Sequence, residues 1–256
     1  MSMALYVFLV LIGLLLAQEI FRRFPKVTLV VFIVLPIILI FFLIENKIKT
    51  DWFSLTKVFS VTFALIWFSI FRLTKFGETK FAKVIIYLLL LVNIFEAVFK
   101  DVLSGGVTHY FNAIAGILLI VTLSGIDSIN TTKDKYKDVN WNGMMLMWII
   151  GYTIWNWTFV YLNYTSVSAH HIAVLGAPLI IAFFNKGRWP QVRLLTLGVY
   201  LFFFFFMFNK LDPRIYSSAS WANESAGLLL AVVSLIFMII YTIFFLKSTL
   251  SVTPYS

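Results

Sequence analysis

Nine long apolar runs follow one another along the sequence, and they constrain the fold more than any other feature. Each is close to the roughly 20 residues that an α-helix needs to cross a hydrocarbon core about 30 Å thick. Short linkers such as "RRFPK" and "NKGRWPQ" separate the runs and carry residues that end helices. The pattern predicts an all-α, polytopic transmembrane helix bundle with spans near residues 3–21, 27–44, 58–73, 84–103, 107–125, 143–164, 168–185, 192–209 and 225–246.

The composition agrees with this fold class. Hydrophobic residues make up 61% of the 256 residues and charged residues 12%, against roughly 45–50% and about 25% in soluble domains. We therefore expect a single integral membrane domain over residues 1–256. The runs are continuous rather than alternating, which favours helices over the strands of a barrel. The chain has no cysteine, which excludes disulfides and thiolate metal sites, and we expect neither a metal nor a cofactor.

The distribution of basic residues predicts the orientation in the membrane. If the N-terminus lies outside and the C-terminus inside, 14 of the 20 basic residues fall at inner loops, as the positive-inside rule requires. The first span has no basic residues before it, which is typical of a reverse signal-anchor rather than of a cleaved signal peptide. Anionic lipid head groups explain the net charge of +9 without a nucleic-acid partner.

Two segments indicate a possible inverted repeat. "VLPIILIFF" (34–42) and "GAPLIIAFF" (176–184) each place a proline within a span, and a tryptophan and a basic residue follow each of them. The segments lie five spans apart, so a true repeat would be inverted in the membrane, as in many transporters. The alternative is two proline-kinked helices with interfacial tryptophans.

The fourth span ends in "NIFEAVFKD", which carries charges where burial is costly. Asn93, Glu96 and Lys100 fall on one helical stripe. One interpretation is an ion pair between Glu96 and Lys100 near the outer interface, with Asp101 in the loop. The other is a substrate or proton site centred on Glu96, with Lys57 of the third span as its partner in ion or proton coupling.

The fifth and sixth spans continue the polar pattern. In "HYFNAIAG", His109 and Asn112 share a face with Gly116, and His109 near Glu96 or Asp101 would form a titratable cluster. The alternative is close helix packing through small residues. The sixth span, "WIIGYTIWNWTFVYLNYT", presents a polar stripe and an adjacent aromatic stripe that suit a flat or cationic organic ligand. Interhelical amide hydrogen bonds and an aromatic belt would explain it equally. The polar stripe consists of Tyr152, Asn156 and Asn163, and the aromatic stripe includes Trp148 and Trp155.

Enzyme signatures are largely missing from the sequence. There is no HExxH motif, and "TLSGID" lacks the preceding glycine and the base that an intramembrane serine protease needs. The last span has no lysine that could hold retinal. A protein that is not an enzyme is therefore favoured, although Glu96 and His109 could serve as acid and base toward a lipid or isoprenoid substrate.

Five blocks of the sequence carry a resemblance to a known family. "DWFSLTKVFS", "NIFEAVFKD", "YFNAIAGILLIVT", "WNWTFVYLN" and "GAPLIIAFFNKGRWPQ" resemble those of an uncharacterised family of bacterial multi-pass membrane proteins, over about residues 18–200. The resemblance implies a bacterial inner (cytoplasmic) membrane protein but no activity. "WNWTFVYLNY" is more loosely similar to a helix of nicotinamide-riboside-type vitamin transporters, with a different tryptophan spacing. The family's polar blocks contain Glu19, Lys57, Asn93, Glu96, Asp101, Asn112, Asn156 and Trp189.

Three polar stripes on consecutive spans predict a transporter or permease for a small polar or aromatic organic solute. The cavity is expected between spans 4, 5 and 6, with alternating access around it. Glu96 would bind a cation or proton, the amides would orient the solute, and an aromatic ring would stack on it. The alternatives are the lipid enzyme and a structural membrane subunit. The predicted substrate-binding residues are Asn93, Glu96, His109, Asn112, Tyr152, Trp155 and Asn156.

Overall fold

A computed structural model describes residues 2–47, 50–207 and 212–250, and over these ranges the chain is an all-α bundle. Nine helices of 15 residues or more lie in this described part, one at each of the nine predicted spans. The predicted fold class is therefore confirmed. The long helices are α1 (Met3–Arg23), α2 (Pro25–Glu45), α3 (Trp52–Leu73), α4 (Lys80–Ser104), α5 (Val107–Val121), α6 (Leu146–Asn163), α7 (Ser168–Phe184), α8 (Trp189–Met207) and α10 (Glu224–Leu250), and α9 (Pro213–Tyr216) is a single turn.

Seven of these helices are long and apolar enough to cross a membrane. Helix α5 has only 15 residues, and α6 is less apolar because of its tryptophans, tyrosines and asparagines. Many large apolar side chains of α1, α2 and α10 face outward, among them Phe41 and Phe244. An apolar outer surface of this kind is what lipid contact requires. The predicted orientation, N-terminus out and C-terminus in, stays a prediction.

Local sequence signals set the helix ends. The Asp51 side chain caps α3 by accepting from the Ser54 backbone N–H, and Thr79 caps α4 through Ala82. The turn between α4 and α5 is as tight as expected, because Gly105 and Gly106 both have positive φ (72° and 86°).

The two prolines of the predicted repeat, Pro36 and Pro178, both lie inside helices. The tryptophans that follow them differ, since Trp52 is exposed and Trp189 is buried. Only one of the two is therefore placed as an interfacial tryptophan would be. The inverted repeat itself stays a prediction.

The linker between α5 and α6 contains a β-hairpin that the sequence did not predict. Strands β1 (Ile129–Thr131) and β2 (Val139–Trp141) pair antiparallel in this segment. Each strand has three residues, too few for an alternating pattern to stand out. The hairpin folds back against the start of α8 and places Asp138 inside the protein.

The interior consists of two hydrophobic clusters. One is formed mainly by α4, α5, α6 and α10 with the hairpin and the other mainly by α1 and α2, while α3, α7 and α8 contribute to both. In the first cluster Gly116 lets α5 pack closely against α6, because an added Cβ would lie only 2.8 Å from Trp155 Nε1. The predicted small-residue contact is thus present. The two clusters meet along α3, α6, α7 and α8, where a cavity opens.

Candidate functional site

A cavity of about 230 Å³ lies between α3, α4, α6, α7 and α8. We call it the central cavity. At one end it is bordered by the exposed residues Asp51 and Ser166, and at the other by the buried side chains of Asn156 and Arg193. The first end is its mouth and the second its floor. Its described lining residues are Asp51, Phe53, Ser54, Lys57, Asn93, Ala97, Asn156, Phe159, Val160, Tyr164, Ser166, Val167, His171, Arg193, Leu197, Tyr200, Leu201, Phe204 and Phe205.

Polar groups from three helices form the floor. Arg193 Nη2 of α8 donates to Asn156 Oδ1 of α6 at 3.2 Å, and the guanidinium lies 5.8 Å from the centre of the Tyr152 ring. The Tyr152 hydroxyl in turn donates to Asn93 Oδ1 of α4 at 3.3 Å. These contacts hold a cation, two amides and a phenol together at the base of the cavity.

An ion pair stands at the side of the cavity. Lys57 Nζ lies 2.6 Å from Glu96 Oε2, and the Ser60 hydroxyl donates to the same oxygen at 3.2 Å. Lys57 also donates to the Asn93 carbonyl oxygen at 3.2 Å. The predicted neighbour of Glu96 on the third span is therefore its partner. Lys57 lines the cavity, and Glu96 neutralises it from behind.

At the mouth, Asp51 is held by donors from two segments. It accepts from the Ser54 backbone N–H at 3.1 Å and from the Tyr164 hydroxyl at 3.3 Å. Burial alone would raise the pKa of the Asp51 carboxyl, but hydrogen bonds from the Ser54 hydroxyl, the Ser54 backbone N–H and the Tyr164 hydroxyl outweigh it, and the pKa lies below its ordinary value. Burial raises the pKa of the Tyr164 phenol, and the charge of Asp51 adds to that shift. Both groups therefore keep their usual charge at neutral pH.

A second cavity of about 60 Å³ lies beyond the floor. Asn93, Arg193 and Leu197 border both cavities, and the second one continues to Trp141 and Trp189. The floor is thus a thin partition with polar groups in it.

A separate polar cluster surrounds Asp101, and we call it the outer cluster because it lies at the end of the bundle that is predicted to face outside. The carboxylate is fully buried, and three donors bind it: His109 Nδ1 at 2.9 Å, Asn112 Nδ2 at 2.7 Å and Asn163 Nδ2 at 2.7 Å. The cluster joins α4, α5 and α6. The interpretation of Asp101 as a loop residue is wrong, because α5 and α6 fold over the end of α4 and bury it.

Comparison with known proteins gives one match. The model of a family described as a family of unknown function (DUF5692) matches residues 1–254. The chain belongs to this family. The matched range extends the resemblance seen over residues 18–200 to nearly the whole chain. No curated protein and no solved structure matches the chain, so the looser similarity to vitamin transporters has no support.

In this member of DUF5692 a third polar cluster, the inner cluster, lies at the end of the bundle opposite the mouth. Asp138, on the hairpin, accepts from Arg22 Nη1 at 2.9 Å and from Gln191 Nε2 at 2.8 Å. Arg72 lies 3.4 Å and Arg188 3.5 Å from the same carboxylate. The cluster ties α1, α3 and the start of α8 to the hairpin, and so closes the bundle at this end.

Glu19 belongs to the same end of the bundle. It pairs at 2.7 and 2.8 Å with Arg22 and Arg23, which follow it by three and four residues on α1. These ion pairs give Glu19, one of the residues in the family's polar blocks, a structural role. Trp189, another of those residues, is buried against Trp148 and Tyr152.

The predicted site residues do not lie in one place. Asn93 and Asn156 line the central cavity, while Tyr152 lines the second cavity and Glu96 holds Lys57. His109 and Asn112 belong instead to the outer cluster. Their roles in solute binding stay predictions.

Two expectations about the cavity require correction. Helix α5 contributes none of the described lining residues, so the cavity is not enclosed by spans 4, 5 and 6 but by α3, α4, α6, α7 and α8. Trp155 is fully buried and donates its indole N–H to the Asn112 carbonyl oxygen at 2.9 Å, so its ring packs between α5 and α6 rather than in the cavity.

The acid–base pair of the lipid-enzyme hypothesis is not formed. Glu96 contacts Lys57 and Ser60, whereas His109 contacts Asp101 in the outer cluster. General acid–base catalysis needs both groups within reach of one substrate. This arrangement disfavours the enzyme hypothesis.

Sequence reasoning missed the role of Arg193. Arg193 lies two residues after the basic linker "NKGRWPQ", yet it is only 6% exposed. The available signal was helical spacing: Trp189, Arg193, Leu197 and Tyr200 repeat at intervals of three and four residues and so share one helix face.

Proposed function

We propose that this chain is a membrane transporter for a small polar or aromatic organic solute, with its binding site in the central cavity. The single observation that carries the proposal is the position of the cavity. It lies between the two hydrophobic clusters of the bundle and has buried polar groups at its floor. Transporter sites commonly lie near the midplane between two packed groups of helices that move against each other.

The two ends of the bundle support the same proposal. The mouth is bordered by exposed residues, whereas the opposite end is closed by the buried inner cluster around Asp138. An open cavity on one side and a closed barrier on the other is the arrangement that alternating access requires. The partition at Arg193, with the second cavity behind it, marks the path that a solute would follow.

In this proposal the Lys57–Glu96 pair serves ion or proton coupling. Protonation of Glu96 would release Lys57 toward the cavity that it lines, and a change of charge at a buried pair is costly enough to drive a change of conformation. We further propose the bacterial inner membrane as the location, with the mouth outside. The excess of basic residues at the opposite end of the chain's spans supports this orientation.

Transport is tested in proteoliposomes incubated with a mixture of small metabolites, whose contents are identified by mass spectrometry. Vesicles with the wild-type protein are expected to accumulate solutes that empty vesicles do not. Asn156→Leu removes the floor amide and is expected to reduce accumulation about tenfold or more. Asn185→Leu, at an exposed position in the α7–α8 linker, is the matched control and should transport normally.

Equal contents in protein-containing and empty vesicles would contradict the proposal. So would full uptake by the Asn156→Leu variant, because the cavity floor would then be irrelevant to the solute. In either case the polar floor would serve helix packing, as in the structural-subunit alternative.

A further inference from the structure

Arg193 has donors that nothing in the described structure uses. Its Nη2 donates to Asn156, but Nε and Nη1 are buried without a hydrogen-bond partner. Leaving a buried donor unsatisfied costs about 1–3 kcal/mol, and more for a charged group. None of the salt bridges among the described residues involves this guanidinium. A permanently charged group is thus held at the cavity floor with capacity to bind something more.

The other charges around the cavity do not compensate Arg193. Lys57 is neutralised by Glu96 at 2.6 Å. The one acidic residue among the described lining residues is Asp51, which stands at the mouth and is held by Ser54 and Tyr164. His171 lines the cavity and adds no negative charge. The floor therefore carries one uncompensated positive charge.

The rest of the cavity is suited to an apolar body. Aromatic rings from four segments line it. Tyr200 lies on the same helix as Arg193, and its hydroxyl is buried without a hydrogen-bond partner among the described residues. The volume of about 230 Å³ is below the roughly 300–1,000 Å³ of pockets for drug-sized ligands, so the ligand is small. The rings belong to Phe53, Phe159, Tyr164, Tyr200, Phe204 and Phe205.

We infer that the solute is a small organic anion, an aromatic or similarly apolar monocarboxylate whose carboxylate binds Arg193 at the floor of the central cavity. The inference rests on the proposed function and names the substrate class for it. Guanidinium groups bind carboxylates through paired, charge-assisted N–H···O bonds, and the unused Nη1 and the neighbouring donors offer such a pair. A single positive charge fits a monoanion better than a doubly charged phosphate ester. The inference replaces the cationic ligand that the aromatic stripe of α6 suggested, because a buried guanidinium would repel it.

Calorimetry on the purified protein in lipid nanodiscs tests the inference with four probes of matched size: phenylacetate, phenylacetamide, phenethylamine and phenyl phosphate. Phenylacetate is expected to bind at least about tenfold more tightly than the amide, since a charge-assisted pair is lost. The amine should bind more weakly still. Phenyl phosphate as the tightest ligand would change the head group from carboxylate to phosphate and overturn the monocarboxylate.

Two variants locate the head group. Arg193→Gln is expected to lose phenylacetate binding by about tenfold or more, while Arg23→Gln, which changes an exposed arginine, is expected to bind as the wild type does. If Arg193→Gln fails to fold, Asn156→Asp still tests the inference. It places a carboxylate at the atom that Arg193 already contacts, so it should raise thermal stability and abolish phenylacetate binding.

Binding of the amide or amine as tightly as phenylacetate overturns the inference, as does failure of phenylacetate to bind at about 1 mM. Full phenylacetate binding by Asn156→Asp overturns it as well. These outcomes are distinct from failure of the transport proposal, which is measured by vesicle uptake. Uptake of neutral or cationic solutes would support the transport proposal and contradict the anionic substrate. Binding of the anion without uptake would support the anionic ligand and contradict transport.

Discussion

Lys57 and Glu96 form an ion pair across the interface of α3 and α4, with Nζ and Oε2 2.6 Å apart and side chains only 12% and 13% exposed. The pair explains how a carboxylate can lie in the middle of an apolar span. Lys100, four residues after Glu96, is therefore not its partner. Of the two interpretations of "NIFEAVFKD", the ion pair within α4 is therefore replaced by one between helices.

The pair predicts a strongly coupled effect of mutation on stability. Glu96→Gln or Lys57→Met alone leaves one buried charge without its partner, which costs about 3–5 kcal/mol of unfolding free energy. The double variant removes both charges and is expected to lose less than the sum of the single losses. Unfolding free energies of the four proteins in one detergent provide the double-mutant cycle. Additive losses would show that the two charges do not interact.

Asp101 is expected to be a structural centre of the outer end of the bundle. Asp101→Asn removes the negative charge that His109, Asn112 and Asn163 share. Hydrogen bonds to a charged group contribute about 1.5–3 kcal/mol, so the thermal midpoint should fall clearly. Asp127→Asn, at an exposed position in the linker after α5, is the control and should leave the midpoint unchanged. An equal midpoint for both variants would show that the cluster adds no stability.

Asp51 should make stability depend on acidity. Its hydrogen bonds lower the pKa of the carboxyl in the folded protein, so the ionised form stabilises the fold at neutral pH. That contribution is lost as the pH falls from the unfolded value of about 3.9 through the lower folded value. Asp51→Ala also removes the cap of α3 and is expected to cost about 1 kcal/mol near neutral pH. The difference between wild type and variant should shrink below about pH 4, as measured by unfolding free energies across this range. A difference that is constant or grows on acidification would contradict the sign of the shift.

The orientation of the helices can be tested by single-cysteine labelling, because the natural chain has no cysteine. Cysteines at the exposed positions Asn46 and Ser104 are expected to react with an impermeant reagent from outside the cell. Cysteines at Lys80, Lys135 and Lys186, which are also exposed, should react only after the membrane is opened. Reaction of any position from the other side would contradict nine spans with the N-terminus out.

The helices could be predicted because a segment that crosses lipid must satisfy its backbone internally and carry apolar side chains over about 20 residues. A continuous apolar run can hardly be anything but a span, and the nine predicted segments each contain one helix. The partner of Glu96 could also be anticipated, since few positive charges lie at comparable depth. The two short strands left no such mark, because three residues show no usable period.

The composition of the site depends on which helices meet, and that information is spread over the whole chain. Asp101 looks like a terminal residue when α4 is considered alone, and becomes buried only because α5 and α6 cover it. Arg193 likewise looks like a residue at the start of a span, next to a basic linker. Hydropathy reports the polarity of a segment but not which helices it contacts. The spacing of Asn112 and Trp155 therefore could not show that they lie outside the lining of the central cavity.

A structure of the protein in nanodiscs with phenylacetate shows whether the central cavity binds a solute. We expect density for the ligand inside the cavity, with its carboxylate within hydrogen-bond distance of Arg193 and its ring against Phe159 or Phe204. A cavity filled by protein side chains or by a lipid chain, with Arg193 bound to a protein carboxylate, would contradict the account.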